Sequence, residues 1–196
     1  MTVTGEELYH YVQPHFQERF DIQCNALYDK YSSRPQMLTD GYLQPLITLC
    51  ENAMDLQSKQ EIEPVKYLCI SYLQSGLLTG CFSFRADLYD SRFYLDQNNP
   101  FVYWEIPGLF ELFQEDIEYF RTIIKRKYVR IKDYQLTRLK SEYAVYYYSL
   151  VHRIYEDFSE LIVNLFSEVE KEVNWKILFG QLRDETVLIW EASGEQ

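Results

Sequence analysis

A chain of 196 residues, of which 47% are hydrophobic, is long enough to bury a sizeable core and too apolar for wholesale disorder. Its formal net charge of −11 disfavours general affinity for nucleic acids and for anionic membrane surfaces. Seven glycines and six prolines are few for this length, which argues against a sandwich or propeller with many turns.

The first 60 residues contain two amphipathic helical patterns. Thr4 and Glu7 form a capping-box signature, and the apolar positions that follow recur at spacings of three and four. Because Pro14 lies inside this pattern, we predict a kink or a restart of the helix there. Thr39 and Asp40 supply the N-cap of a second predicted helix, whose apolar stripe runs to Met54.

The middle of the chain changes its period. Residues 64–80 are densely apolar, which predicts a central, largely buried third helix that ends at Gly76 or Gly80. Residues 82–95 then alternate, which predicts a strand or an extended arm. A turn is expected at residues 98–100, where two asparagines precede a proline.

The second half contains the most sustained helical patterns. Pro107 suits the first position of a fourth helix. From Asp133 the three/four spacing continues to about Lys171, which predicts the longest helix of the chain. Two short apolar runs at about 175–191 predict a small terminal β-hairpin.

Together, these elements predict a mainly α fold. The expected architecture is a bundle of about five helices in a single helical domain spanning residues 1–196, with one long helix at 133–171. Its minor β element is an appendage formed by the C-terminal hairpin, which residues 82–95 could join. An all-α fold is the alternative.

The positive charge is concentrated in one segment. Residues 121–140 hold eight of the 19 Lys/Arg and one acid, a formal charge of +7, whereas the remaining residues carry −18. Clustered cations can bind phosphates or an acidic partner. They can equally be neutralised by the acidic residues in the rest of the chain. The candidate partner-binding residues are Lys125, Arg126, Lys127 and Arg130.

A run of tyrosines is the second candidate interface. Tyr143, Tyr146, Tyr147 and Tyr148 lie in a predicted helix, where successive residues are about 100° apart and cannot share one face. Either the helix presents tyrosine at an interface, which favours this residue, or it is central and its hydroxyls are bonded internally. Both interpretations stay open.

Metal and cofactor binding have little support in the sequence. Glu7 and His10 have the Glu-x-x-His spacing of carboxylate-bridged metal bundles, which require two such motifs and two further glutamates. His152 and Glu156 are a second weak candidate pair at i, i+4 spacing. We therefore expect no metal and no cofactor.

No catalytic motif is found, so an enzyme is disfavoured. We expect a cytoplasmic protein, because we find no signal peptide, no membrane span and no C-x-x-C among the four cysteines. The favoured function is a non-enzymatic interaction protein, acidic and rich in tyrosine, that binds another protein. The alternative is a helical domain that binds a small molecule, or an enzyme, with an aromatic-lined pocket. The sequence leaves the oligomeric state open.

Overall fold

The computed structural model describes residues 4–95, 98–129 and 131–192, which separate into two compact units. The first unit comprises Met1–Pro35 and Pro107–Leu150, and the second comprises Gln36–Ile106 and Val151–Gln196. That the chain forms a single domain stays a prediction. Within the described residues, no helix is both long and apolar enough to cross a membrane.

Among the described residues, four α-helices precede the first strand, and the strands and the remaining helices follow in short groups. The helices are α1 Gly5–Val12, α2 Phe16–Ser33, α3 Gln36–Leu38, α4 Gln44–Ser58, α5 Gln74–Thr79, α6 Leu109–Lys127, α7 Thr137–Asp157 and α8 Ser159–Leu165. The strands are β1 Val65–Tyr72, β2 Ser83–Tyr89, β3 Phe101–Glu105, β4 Lys171–Gln181 and β5 Thr186–Glu191.

The first unit is helical, and the local signals at its start are confirmed. The Glu7 amide donates to Thr4 Oγ1 at 3.2 Å, and the Thr4 amide donates back to Glu7 Oε2 at 2.8 Å, which completes the capping box. Pro14 lies in a 3₁₀ turn, Gln13–His15, that separates α1 from α2. The predicted restart therefore occurs where proline removes a backbone donor.

The second unit contains a five-stranded mixed sheet, so the prediction of a mainly α bundle, and its all-α alternative, are wrong. The strand order is β3-β2-β1-β4-β5, with β1 parallel to β4 and every other neighbouring pair antiparallel. The fold is therefore α/β. The C-terminal hairpin is confirmed as a hairpin, but β4 joins it to the main sheet, so it is not an appendage.

The predicted third helix is in fact the central strand β1 followed by the short helix α5. Leu68 and Ile70 face one side of the sheet, Cys69 and Ser71 face the other, and all four are almost completely buried. A strand covered on both sides has a continuous apolar sequence, and periodicity cannot distinguish it from a buried helix. Pairing with β2 and β4 decides the outcome.

The predicted helix at 133–171 is interrupted. A 3₁₀ turn, Asp133–Leu136, precedes α7, and Phe158 separates α7 from α8 with φ −92° and ψ 1°. The pattern then stops short of its predicted end, because Lys171 begins β4 and pairs with Val65 of β1. Long-range strand pairing here overrides the local helical period.

Residues 82–95 are confirmed to contain a strand, β2, whereas β3 was not predicted at all. β3 is short, and it forms one edge of the sheet through pairing with β2. Phe101 and Tyr103 on β3 are exposed, as is typical of an edge strand.

Candidate functional site

Helix α6 presents an acidic, partly aromatic outer face. Its inner face is buried through Phe113, Ile117, Phe120 and Ile124. Because successive residues are about 100° apart, the residues at the intervening positions point the other way. Five of them line an open depression of about 670 Å³: Phe110, Glu111, Gln114, Glu115 and Glu118.

The same outer face becomes basic towards the C-terminal end of α6. Lys125 and Arg126 are exposed, and neither forms an ion pair with any other described residue. Glu111, four turns earlier, is likewise without an ion pair in the described part of the chain. Glu118 differs, because its Oε1 lies 3.3 Å from Arg121 Nε. One helix face thus carries both signs of charge at opposite ends.

Beneath this face, Asp116 is the acceptor of a buried hydrogen-bond network. Its side chain is fully buried and receives the hydroxyl of Tyr143 at 2.6 Å and that of Tyr147 at 2.7 Å, both on Oδ2. Its other oxygen, Oδ1, accepts from Arg19 Nε and, at 2.9 Å, from Gln23 Nε2. Four donors and a guanidinium charge satisfy the carboxylate, which makes it a structural centre of the first unit.

Burial, together with the interaction with Asp116, raises the pKa of Tyr143 and of Tyr147 above the ordinary tyrosine value. In the unfolded chain both hydroxyls ionise near pH 10, whereas in the folded chain they remain protonated at higher pH. Their contribution to stability is therefore complete below about pH 10 and is lost as the pH rises further. Each tyrosine can lower the free energy of unfolding by up to about 1.4 kcal/mol per pH unit there.

We therefore predict that the double variant Tyr143→Phe/Tyr147→Phe loses stability less steeply with rising pH than the parent does. The measurement is the urea midpoint between about pH 8 and pH 11. Tyr134→Phe, which removes an exposed hydroxyl outside the network, is the matched control. Equal slopes for the parent and the double variant would contradict the prediction.

The basic segment is only partly neutralised within the first unit. Arg121 NH2 lies 3.1 Å from Asp133 Oδ1, and Arg138 bonds Glu6. The candidates Lys125, Arg126 and Lys127 are exposed, and the Lys127 ammonium lies 4.4 Å from the ring centre of Tyr11. Arg130 lies outside the described residues. Lys125 and Arg126 are exposed near the C-terminal end of α6, and neither forms an ion pair with another described residue.

The tyrosine run mostly points inward. Tyr143 and Tyr147 are buried against Asp116, and Tyr148 is buried as well. Tyr146 is half-buried, and its ring centre lies 5.3 Å from that of Phe20. The hydroxyls of Tyr143 and Tyr147 are therefore bonded internally, and a partner-binding role of the tyrosine run stays a prediction.

The metal candidates occupy ordinary positions. Glu7 caps the start of α1, and His10 Nε2 lies 3.1 Å from Glu6 Oε1. His152 Nε2 lies 3.8 Å from Glu156 Oε1 on α7. Across the described ranges, no three His, Cys, Asp or Glu side chains come close enough together to hold a metal ion.

A second polar cluster, in the second unit, was not predicted. Arg85 Nε donates to both oxygens of the buried Asp87, at 2.8 and 2.9 Å, and Arg85 NH1 donates to the Tyr103 hydroxyl at 2.7 Å. Asn99 Nδ2 donates to Asp87 at 2.7 Å, and Phe101 covers the guanidinium, whose carbon lies 4.1 Å from the ring centre. The sequence signal was the alternation along β2, which places Arg85 and Asp87 on one face. Since Asp87 neutralises Arg85, this cluster has a structural role.

The four cysteines are free thiols, and Cys50 and Cys69 are buried. Burial raises the pKa of both buried thiols, which keeps them in the unreactive protonated form.

No known protein family, curated protein or solved structure matches this chain.

Proposed function

We propose that this chain is a cytoplasmic protein-interaction module that binds a Lys/Arg-rich segment of a protein partner on the outer face of α6. The observation that supports the proposal is the open depression on that face, which combines Phe110 with three exposed glutamates, Glu111, Glu115 and Glu118. The partner supplies cations, and the depression supplies carboxylates and one aromatic ring.

The spacing of the glutamates suits an extended basic segment. Glu115 lies four residues after Glu111, and Glu118 lies three residues after Glu115. Residues at these spacings are neighbours on a helix, so the three carboxylates follow one another along its surface. Phe110 is half-buried against Phe113, with ring centres 6.0 Å apart, which holds it in place for the stem of a lysine or the plane of an arginine. The net charge of −11 attracts such a partner from a distance.

The test is the binding of a fluorescent Arg/Lys-rich peptide, measured by anisotropy at low and high salt. We expect Glu111→Gln/Glu115→Gln/Glu118→Gln to weaken binding by about tenfold or more at low salt, since three carboxylate contacts are removed. The matched control is Glu61→Gln/Glu63→Gln/Glu160→Gln, which removes three exposed carboxylates from the second unit and leaves the same net charge.

The control separates a site from a general charge effect. If binding depends on the α6 face, the control variant weakens it by less than about threefold, because only long-range attraction changes. Equal losses in the two triple variants, or no binding by the parent at low salt, would defeat the proposal.

A further inference from the structure

We propose that the partner of the α6 face is the α6 face of a second copy of this chain, packed antiparallel, so that Glu111 at the acidic end of each face lies opposite Lys125 at the basic end of the other. This inference rests on the proposed function, because it uses the same face as the docking surface. It adds the identity of the partner and the register of the contact.

The helical geometry places both ends of the contact on one line. Glu111, Glu118, Thr122 and Lys125 lie within about 60° of one another around the α6 axis, at about 100° per residue. Glu111 and Lys125 are separated by 14 positions, or about 21 Å along the helix. A two-fold axis through the middle of this stretch exchanges its acidic and basic ends.

Antiparallel packing satisfies the charges, whereas parallel packing would not. In the antiparallel arrangement the two-fold axis creates two charge pairs, each formed by Glu111 of one copy and Lys125 of the other. In the parallel arrangement, glutamate would face glutamate and lysine would face lysine. Glu118 lies near the two-fold axis, where its charge is offset by Arg121 of its own helix, 3.3 Å away.

A second copy fits this face because the face is complementary to itself. Two-fold interfaces use the same patch on both subunits, so a charged group of one copy can be paired only by an opposite charge within that same patch. Glu111 and Lys125 meet this condition, since both are exposed and neither forms an ion pair with another described residue. One helix face is a small interface, and two copies that each carry a net charge of −11 repel one another, so the dimer is weak.

The experiment is sedimentation equilibrium of the full chain at about 0.1 M salt, where the repulsion between two acidic chains is screened beyond about 10 Å, with a set of charge-reversal variants. We expect the parent to dimerise, and Glu111→Lys and Lys125→Glu each to weaken the dimer by about tenfold or more, because each creates two like-charge pairs. The variant Glu111→Lys/Lys125→Glu should dimerise within about threefold of the parent, since both pairs are restored with reversed sign. An equimolar mixture of the two single variants should likewise form heterodimers.

Controls of equal charge are available in the second unit. Glu160→Lys and Arg153→Glu are exposed reversals away from α6 and should change dimerisation by less than about threefold. Circular dichroism of every variant verifies that the helical content is unchanged. A monomeric parent, single reversals without effect, or a mixture that fails to form dimers would overturn the inference.

Dimerisation and peptide binding, both measured on the parent protein, test this inference and the proposed function separately. If the parent is monomeric but binds the Arg/Lys-rich peptide through its glutamates, the second copy is the wrong partner and the proposed function stands. If the parent dimerises as expected, the peptide should compete with the second copy and shift the protein towards monomer. If neither dimer nor peptide complex forms, both proposals fail.

Discussion

Replacing Asp116 by alanine is expected to lower the free energy of unfolding by about 3–5 kcal/mol. The carboxylate is fully buried and accepts hydrogen bonds from Tyr143, Tyr147, Gln23 and Arg19. Its removal leaves two hydroxyls and an amide without their acceptor and a guanidinium without its counter-charge. Each unsatisfied buried donor carries its own desolvation penalty, so the loss exceeds that of a single hydrogen bond.

A graded series makes this prediction specific to the network. Asp116→Asn keeps one acceptor oxygen for Arg19 or Gln23, and its amide can donate to the tyrosine hydroxyls, which are able to accept. We therefore expect an intermediate loss of about 1–3 kcal/mol, which reports mainly the missing charge.

The control for the series is Glu111→Ala on the outer face of the same helix, which should cost less than about 1 kcal/mol because that side chain is exposed. The measurement is urea denaturation followed by circular dichroism. If Asp116→Ala lowered the free energy of unfolding no more than Glu111→Ala does, Asp116 would not be the centre of a stabilising hydrogen-bond network.

The features that could be predicted from the sequence are those whose physics is local. The capping box at Thr4 and the interruption at Pro14 depend on residues three or four apart, and both are present. A helix after Pro107 and the hairpin of β4 and β5 also follow from neighbouring residues, although α6 begins at Leu109, with Gly108 as its N-cap, and not at Pro107 itself. Each of these signals is complete within one turn or one hairpin, so no distant contact can reverse it.

The features that could not be predicted depend on partners far along the chain. The run Val65–Tyr72 becomes a strand because β2 and β4 pair with it on both sides, and the partner residues in β4 lie more than 100 positions away. The end of the helical pattern before Lys171 has the same cause. A densely apolar run without clear alternation carries no information about which distant segment will pair with it.

The candidate site shows the same division. The exposed cations Lys125 and Arg126 were predicted from charge clustering, which is a property of the sequence alone. The acids at 111 and 115 are visible in the sequence too, but acids are common near the start of a helix because of the helix dipole and do not mark a site by themselves. Only the burial of the opposite face identifies Glu111, Glu115 and Glu118 as one exposed surface beside Phe110. The buried role of Tyr143 and Tyr147 required knowledge of their contact with Asp116.

Replacing Phe84 by alanine should cost about 3–5 kcal/mol, through a cavity on the helix-covered face of the sheet. Phe84 is fully buried, lies opposite Tyr72 and Trp104 in the strand register, and stacks on Trp104 with ring centres 5.8 Å apart. Strands on both sides and α4 above fix the surrounding backbone, so the site cannot collapse to fill the gap.

The matched control is Phe101→Ala, the same substitution on the exposed side of the adjacent strand. Phe101 is 48% exposed and contacts the Arg85 guanidinium, so its removal should cost about 1 kcal/mol. If urea denaturation showed nearly equal losses of stability for Phe84→Ala and Phe101→Ala, Phe84 would not lie in a well-packed core.

The same unfolding curves test the prediction of a single domain. Phe84 belongs to the second unit, whereas Asp116 belongs to the first. If the chain unfolds as one domain, Phe84→Ala and Asp116→Ala will each shift one common transition, measured equally by circular dichroism and tryptophan fluorescence. All three tryptophans lie in the second unit, so fluorescence reports on that unit directly. A fluorescence transition that Asp116→Ala leaves in place, while the helical signal is lost earlier, would mean that the units unfold separately and that the single-domain prediction is wrong.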